Sequence, residues 1–180
     1  MLSLRPAGPG DIRAITDIYN EAVLTTTASF DIEPRSVDQQ RVWFERHGPR
    51  HPVLVAEQGG VVVGWASLSE WSDRRAYANT AEVSVYVKEE HRGKGIGRKL
   101  LEAVMEEGER AGLHTVVARI VTGNDVSVHL HQALGFEHVG VMREVGRKFG
   151  RLLDVIVMQK VYPLEKDQGR GDGTASKGTA

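Results

Sequence analysis

Between Glu82 and Leu101 an apolar run, Val83-Ser84-Val85-Tyr86-Val87, leads into Arg92-Gly93-Lys94-Gly95-Ile96-Gly97 and directly into a helical pattern of Leu100, Leu101, Val104, Met105, Gly108 and Ala111. This strand, glycine-rich turn and helix constrain the fold more than any other stretch. Three glycines in five positions leave little side-chain bulk, so an anionic ligand can approach the backbone. A helix start offers unpaired N–H groups and a partial positive charge, which suit a pyrophosphate. Arg92, Lys94, Arg98 and Lys99 add countercharge. Taken alone, the same glycines also suit a plain tight turn. The stretch is not a P-loop, since no Gly-Lys-Ser/Thr ending follows, and its spacing and mid-chain position do not fit a dinucleotide-binding turn.

The flanking segments supply the layers. Leu2–Arg5 reads as a strand closed by Pro6, and Asp11 as the N-cap of a helix with Ile12, Ile15, Ile18, Tyr19 and Ala22 on one face. A polar loop from Thr25 to Pro34 holds Phe30, and Ser36 with Gln39 has capping-box spacing before a helix containing Val42, Trp43 and Phe44. Two apolar runs around Gly59-Gly60 predict a hairpin. After the glycine-rich turn the pattern predicts a helix stopped by Gly112, a strand over Thr115–Val121 and a short helix from about Asn124 to Leu134. Strands around Glu137–Arg143 and Leu153–Val161 follow, with Arg147–Arg151 between them. The alternation indicates one mixed α/β domain over residues 1–164. Residues 165–180 carry no large apolar side chain and are expected to be a disordered tail.

Composition excludes several classes. The 23 basic and 24 acidic side chains give no electrostatic case for a nucleic-acid or membrane binder. Without cysteine there is no disulfide, thiolate metal site or catalytic thiol. The seven histidines lack supporting carboxylate spacing, so no metal is expected. No signal-like or membrane-length apolar run occurs, which makes the cytoplasm the default location.

Arg92-Gly93-Lys94-Gly95-Ile96-Gly97 resembles the acetyl-CoA signature of the GCN5-related N-acetyltransferases, Arg/Gln-x-x-Gly-x-Gly/Ala. Asn124, opening a helix that ends in Leu134-Gly135-Phe136, matches a second feature of that family. A closer similarity is to the phosphinothricin and methionine sulfoximine N-acetyltransferases. It is carried by Ile18-Tyr19-Asn20, Ala28-Ser29-Phe30, Arg74 with Ala76-Tyr77, Thr80-Ala81-Glu82, and Asn124-Asp125 with the Leu130–Phe136 run.

The resemblance implies a GNAT-type central sheet, mixed but mostly antiparallel, with helices on both faces. It implies acetyl-CoA as co-substrate, a small amine acceptor and a homodimer. Pantetheine would lie between the strand of Val85, Tyr86 and Val87 and the strand Thr115–Val121, with the pyrophosphate on the N–H groups of Arg92 to Arg98. Asn124 and Ser127 would hold the cofactor's far arm, and a backbone N–H near Val85 would polarise the thioester carbonyl. Glu82 would be the general base that removes the acceptor's ammonium proton, its pKa raised by a semi-buried strand. Its plainer alternative is a solvated, outward-facing residue. His131 stands where the broader family often has a Tyr acid, and is either a proton donor or structural. Arg74 and Arg75 would meet an α-carboxylate, and Phe30 and Tyr77 would wall an apolar side chain, against solvated-loop and core alternatives. Trp43, Phe44 and Trp65 are assigned to packing.

The expected reaction is direct transfer of acetyl to the α-amino group of an amino-acid-like molecule. Two rivals remain at this level: a protein N-terminal acetyltransferase of the same fold, and a non-catalytic acetyl-CoA-binding module.

Overall fold

The computed structural model describes residues 1–163. The expected tail at 165–180 lies outside the described residues. Among the described residues seven strands form one sheet in the order β1-β2-β3-β4-β5-β7-β6. They are β1 (Leu2–Pro6), β2 (Val53–Gln58), β3 (Val61–Glu70), β4 (Thr80–Val87), β5 (Thr115–Val121), β6 (Glu137–Lys148) and β7 (Arg151–Val161). Every pair is antiparallel except β4 with β5. The helices are α1 (Ile12–Thr25), α2 (Val37–Glu45), α3 (Ile96–Arg110) and α4 (Asp125–Ala133).

Both faces of the sheet are covered, so β2 and β3 are apolar almost continuously rather than alternately. Val53, Val55, Val62 and Trp65 pack with Ile15, Ile18, Tyr19 and Val23 of α1. On the opposite face Leu54, Ala56, Val63, Ala66 and Leu68 meet Leu100, Leu101, Val104 and Met105 of α3. A bulge interrupts the β2–β3 ladder: Ala56 pairs with Gly64 but Glu57 pairs with Val62, so Val63 is the extra residue and the facing of the β3 side chains changes parity there. Among the described residues no helix is long and apolar enough to cross a membrane.

Two expectations need correction. Asp11 does not cap α1 with its side chain; its carboxylate accepts from Gly8 N–H (2.8 Å) and from both terminal nitrogens of Arg5 (2.7 and 2.8 Å). These bonds fasten a short 3₁₀ turn (Pro9–Asp11) and β1 to the start of α1. The last two strands are also longer than expected, because Arg147, Lys148 and Arg151 are ladder residues. The reversal is confined to Phe149 and Gly150, both at positive φ (50° and 74°), as a tight hairpin turn requires. The Ser36/Gln39 capping box, the Gly59-Gly60 hairpin and the Gly112 helix stop are present as predicted.

Candidate active site

The site begins where β4 and β5 part company. Their parallel ladder holds only Thr80–Glu82 against Thr115–Val117, although β4 continues to Val87 and β5 to Val121. β3 pairs the far edge of β4, and β7 pairs the far edge of β5 along its whole length. Beyond Glu82 the facing edges therefore keep unpaired backbone groups, a ready partner for an extended ligand that carries amides. A cleft of about 620 Å³ fills this fork, lined by Ser84, Val85 and Tyr86 on one side and Ala118–Val121 on the other.

Glu82 stands at the crotch of the fork and lines the cleft. Its carboxylate is semi-buried, as expected, but it is not alone. Arg119 Nε and one terminal nitrogen donate to its two oxygens at 2.6 and 2.7 Å, a bidentate ion pair. That bond in turn holds the Arg119 guanidinium above its ordinary pKa, against the effect of burial. The Arg119 guanidinium also stands 5.7 Å from the Trp71 ring centre.

The glycine-rich turn continues from the end of β4, past the cavity's lining. Gly93 and Gly95 have φ of 73° and 76°, and a Cβ at either would meet nothing within 4 Å. Their glycine requirement is thus one of backbone conformation, not of crowding. Gly95 is the N-cap of α3, and the first helical bond runs from Lys99 N–H to its carbonyl (3.1 Å). The N–H groups of Ile96, Gly97 and Arg98 lie before that bond, outside the helical ladder. A pyrophosphate fits this arrangement, and the fork fits an amide-bearing arm. The countercharge is less free than the sequence suggested: Arg92 donates to Val87 carbonyl (2.9 Å) and Glu21 (3.0 Å), Lys94 to Glu90 carbonyl (2.7 Å) and Arg98 to Glu102 (2.8 Å). Arg92 therefore also braces the turn against β4 and α1.

Across the cleft, Asn124 caps α4 by accepting from Ser127 N–H at 3.2 Å. Both residues line the cleft, as does His131 one turn on. His131 is buried, and its Nδ1 lies 2.8 Å from the Ser127 carbonyl. A carbonyl can only accept, so Nδ1 carries the proton and Nε2 of the neutral ring is a bare acceptor. Burial pushes the imidazole below its ordinary pKa, with the Ser127 bond opposing. A neutral ring of this tautomer is a poor proton donor at neutral pH.

The wall facing the fork is built from the 26–35 loop and the β6–β7 hairpin. The Tyr19 hydroxyl lies 2.8 Å from Ser29 Oγ and donates to Asp31 (2.7 Å), while Arg35 donates to the same carboxylate (2.9 Å) and covers the Tyr19 ring. Burial, reinforced by the Asp31 bond, pushes the Tyr19 phenol up to about 12. Lys148 is buried and donates to the Ser29 carbonyl (2.7 Å), tying hairpin to loop. Phe30 lines the cleft with its ring against Gly146, where a Cβ would stand 2.5 Å from a ring carbon. Trp43 and Trp65 pack edge to face as predicted, and they also line the cleft.

Of the expected site residues, the cleft gathers Phe30, Glu82, Val85, Tyr86, Asn124, Ser127 and His131. Arg74, Arg75 and Tyr77 are not gathered: they lie exposed on and beside a 3₁₀ turn after β3, outside the lining. Their adjacency to Glu82 in the chain does not translate into adjacency in the cleft. Arg119 was not foreseen, and its only sequence signal is a lone cation inside the apolar run Val116–Val121. Among the described residues no three His, Asp or Glu side chains gather as a metal site would need.

Comparison with known proteins agrees with this geometry. Residues 15–136 match the model of the acetyltransferase (GNAT) family. An L-amino acid N-acyltransferase of Escherichia coli is 45% identical over 159 residues, covering 88% of this chain and 92% of that one. An L-methionine sulfoximine/L-methionine sulfone acetyltransferase of Pseudomonas paraeruginosa is 43% identical, covering 87% and 92%. The crystal structure of a phosphinothricin acetyltransferase from Sinorhizobium meliloti in complex with acetyl-CoA superimposes with a TM-score of 0.88 at 36% identity, over 96% of this chain and 94% of that one. With a forked sheet, a left-handed glycine turn at a helix start and these relatives, the chain belongs to the GNAT acetyltransferase family.

Proposed function

We propose that this acetyltransferase acts on the α-amino group of a small amino-acid-like acceptor, of the methionine sulfoximine or phosphinothricin type. The observation that carries this reading is the Glu82 carboxylate at the base of a cleft whose fork fits pantetheine and whose opposite wall is closed by Phe30 and the 26–35 loop. That wall leaves room for a compact acceptor, whereas a peptide would need an open groove. The relatives named for free amino acids and their analogues support the same class.

Acetyl-CoA supplies the acyl thioester: one C–S bond breaks, one C–N bond forms, and of the two protons the ammonium loses, one ends on the CoA thiol and one in solvent. Glu82 takes the first proton, because an ammonium has no lone pair. Unpaired N–H groups of β4 near Val85 would donate to the thioester oxygen. The N–H groups of Ile96–Arg98 would hold the pyrophosphate, with Asn124 and Ser127 on the α4 side of the cleft. His131, neutral and tied to Ser127, shapes the wall and does not supply a proton.

A homodimer fits the outer edge of the sheet at β6, which no strand among the described residues pairs. Along β6 and its hairpin, Val139, Val141, Phe149 and Leu152 are exposed, apolar surface that a second copy would cover. Sedimentation should give twice the chain mass.

The test of function is CoA release with a panel of free amino acids, methionine sulfoximine and phosphinothricin among them, beside N-terminal peptides. Turnover of free acceptors with little on peptides is expected. Peptide turnover alone would replace the reading with the protein acetyltransferase, and cofactor binding without any turnover would replace it with a binding module.

A further inference from the structure

We infer that Arg119 is the residue that reads the acceptor's α-carboxylate, and that the Glu82–Arg119 ion pair is a closed form of the acceptor site which a zwitterion opens. The inference rests on the α-amino-acid reading above and names the contact that enforces it.

The geometry sets a problem that a base alone does not solve. Both Glu82 oxygens accept from one guanidinium, so an ammonium that arrives from the Arg119 side competes for the same lone pairs. An ammonium that takes that position displaces Arg119 and leaves the guanidinium in need of another anion. The two side chains meet at the crotch of the fork, Glu82 from β4 and Arg119 from β5, and both line the cleft. An α-amino acid carries an ammonium and a carboxylate on the same carbon. Inserted at this point it offers the ammonium to Glu82 and the carboxylate to Arg119, breaking one ion pair and forming two. The planar fork of Arg119 matches a carboxylate as well as it matches Glu82. An amine without the acid group can displace Arg119 from Glu82 only by leaving the guanidinium without an anion.

The other cations near the cleft are less suited. Arg35 is committed to Asp31 and lies over Tyr19. Lys148 is buried against the Ser29 carbonyl. Arg74 and Arg75 are outside the lining. Arg119 lines the cleft and its side chain is half exposed, so it can exchange partners without being pulled from a core.

The test compares a good amino-acid acceptor with the same molecule lacking its carboxyl group, methionine sulfoximine against its decarboxylated amine for instance. With the unaltered protein, kcat/KM should favour the acid by about 10- to 100-fold, between the effects of exposed and desolvated charge pairs. Arg119→Ala should raise KM for the acid by a similar factor and remove the preference. The KM for acetyl-CoA should stay unchanged, and the decarboxylated amine should do as well or better because Glu82 is free. Arg119→Lys, which keeps the charge but not the fork, should recover part of the preference. A change in intrinsic tryptophan fluorescence on acceptor binding, in a cleft lined by Trp43 and Trp65 with Trp71 beside Arg119, gives a readout apart from turnover, and it too should favour the acid. Equal use of acid and amine by the unaltered protein would overturn the inference, as would an undiminished preference in folded Arg119→Ala. Failure of every free amino acid as acceptor would instead remove the functional reading on which it stands.

Discussion

Replacing Glu82 by Gln keeps the side chain's size and one oxygen for Arg119 while removing its basicity. If Glu82 takes the ammonium proton, kcat should fall by about 10²–10⁴-fold at neutral pH and recover partly as the pH rises, with acetyl-CoA affinity unchanged. Steady-state rates across pH check this, and a wild-type rate would pass the role elsewhere. His131 leads to a different expectation. Its imidazole is held below its ordinary pKa by burial, as are those of His47 and His51. In the unfolded chain each takes up a proton as the pH falls through 6.5, the ordinary value, while the folded chain resists. The stability these neutral rings contribute is present above that pH and is lost as the pH falls towards their lower folded values. The melting temperature should therefore drop between pH 7 and 5, and His131→Gln should flatten that slope while leaving kcat nearly intact. A large loss of kcat in His131→Gln would restore the proton-donor role. At this scale Glu82 was legible because a carboxylate stands out in an apolar strand next to a glycine-rich turn. Arg119 was not, because its partner is 37 residues away and their meeting depends on a parallel strand pairing that no local spacing encodes.

The β4–turn–α3 element was the most legible part of the molecule, because its requirements are local. Gly95 must adopt φ of 76° to cap α3 and turn its N–H groups outward. A residue with a Cβ there costs about 1–2 kcal/mol in backbone conformation alone. Gly95→Glu adds a negative charge at the helix start, so titration calorimetry should show acetyl-CoA binding lost while circular dichroism shows the fold kept. Unchanged affinity in a folded variant would remove the turn as the phosphate cradle. What local pattern could not supply is the destination of long side chains. Arg92 resembles a mobile countercharge in sequence, but it is spent on Val87 and on Glu21, a residue of α1. The β6–β7 reversal was obscured for a related reason: Phe149 is no turn former, yet it sits at positive φ because twelve- and eleven-residue strands on either side fix the ends it must join.

For the whole molecule, the cleft is closed by segments far apart in the chain. Lys148 reaches Ser29 across 119 residues, and the Phe30 ring lies against the backbone of Gly146. Layer order and helix placement followed from apolar patterning and the family resemblance, whereas this closure depends on where two distant loops land. It was the least legible feature, and it can be tested through Gly146. Gly146 has an ordinary backbone conformation, so an alanine there is not strained by φ. Its Cβ, however, would stand 2.5 and 2.7 Å from two Phe30 ring carbons, and the ring must move. Phe30 is 41% exposed and can swing aside, so the stability cost should be near the low end of the ~1–3 kcal/mol typical of overpacking. The functional effect should be larger, because the displaced ring lines the cleft: KM for the acceptor should rise while KM for acetyl-CoA, proposed to lie along the fork, stays the same. In a Phe30→Ala background the clash is absent, so adding Gly146→Ala should then change neither stability nor acceptor KM. That non-additivity, read from a double-mutant cycle, separates a ring-to-backbone contact from a general loosening of the β6–β7 hairpin. Equal effects of Gly146→Ala with and without the Phe30 ring would show that the hairpin, and not the aromatic wall it supports, shapes the acceptor side of the cleft.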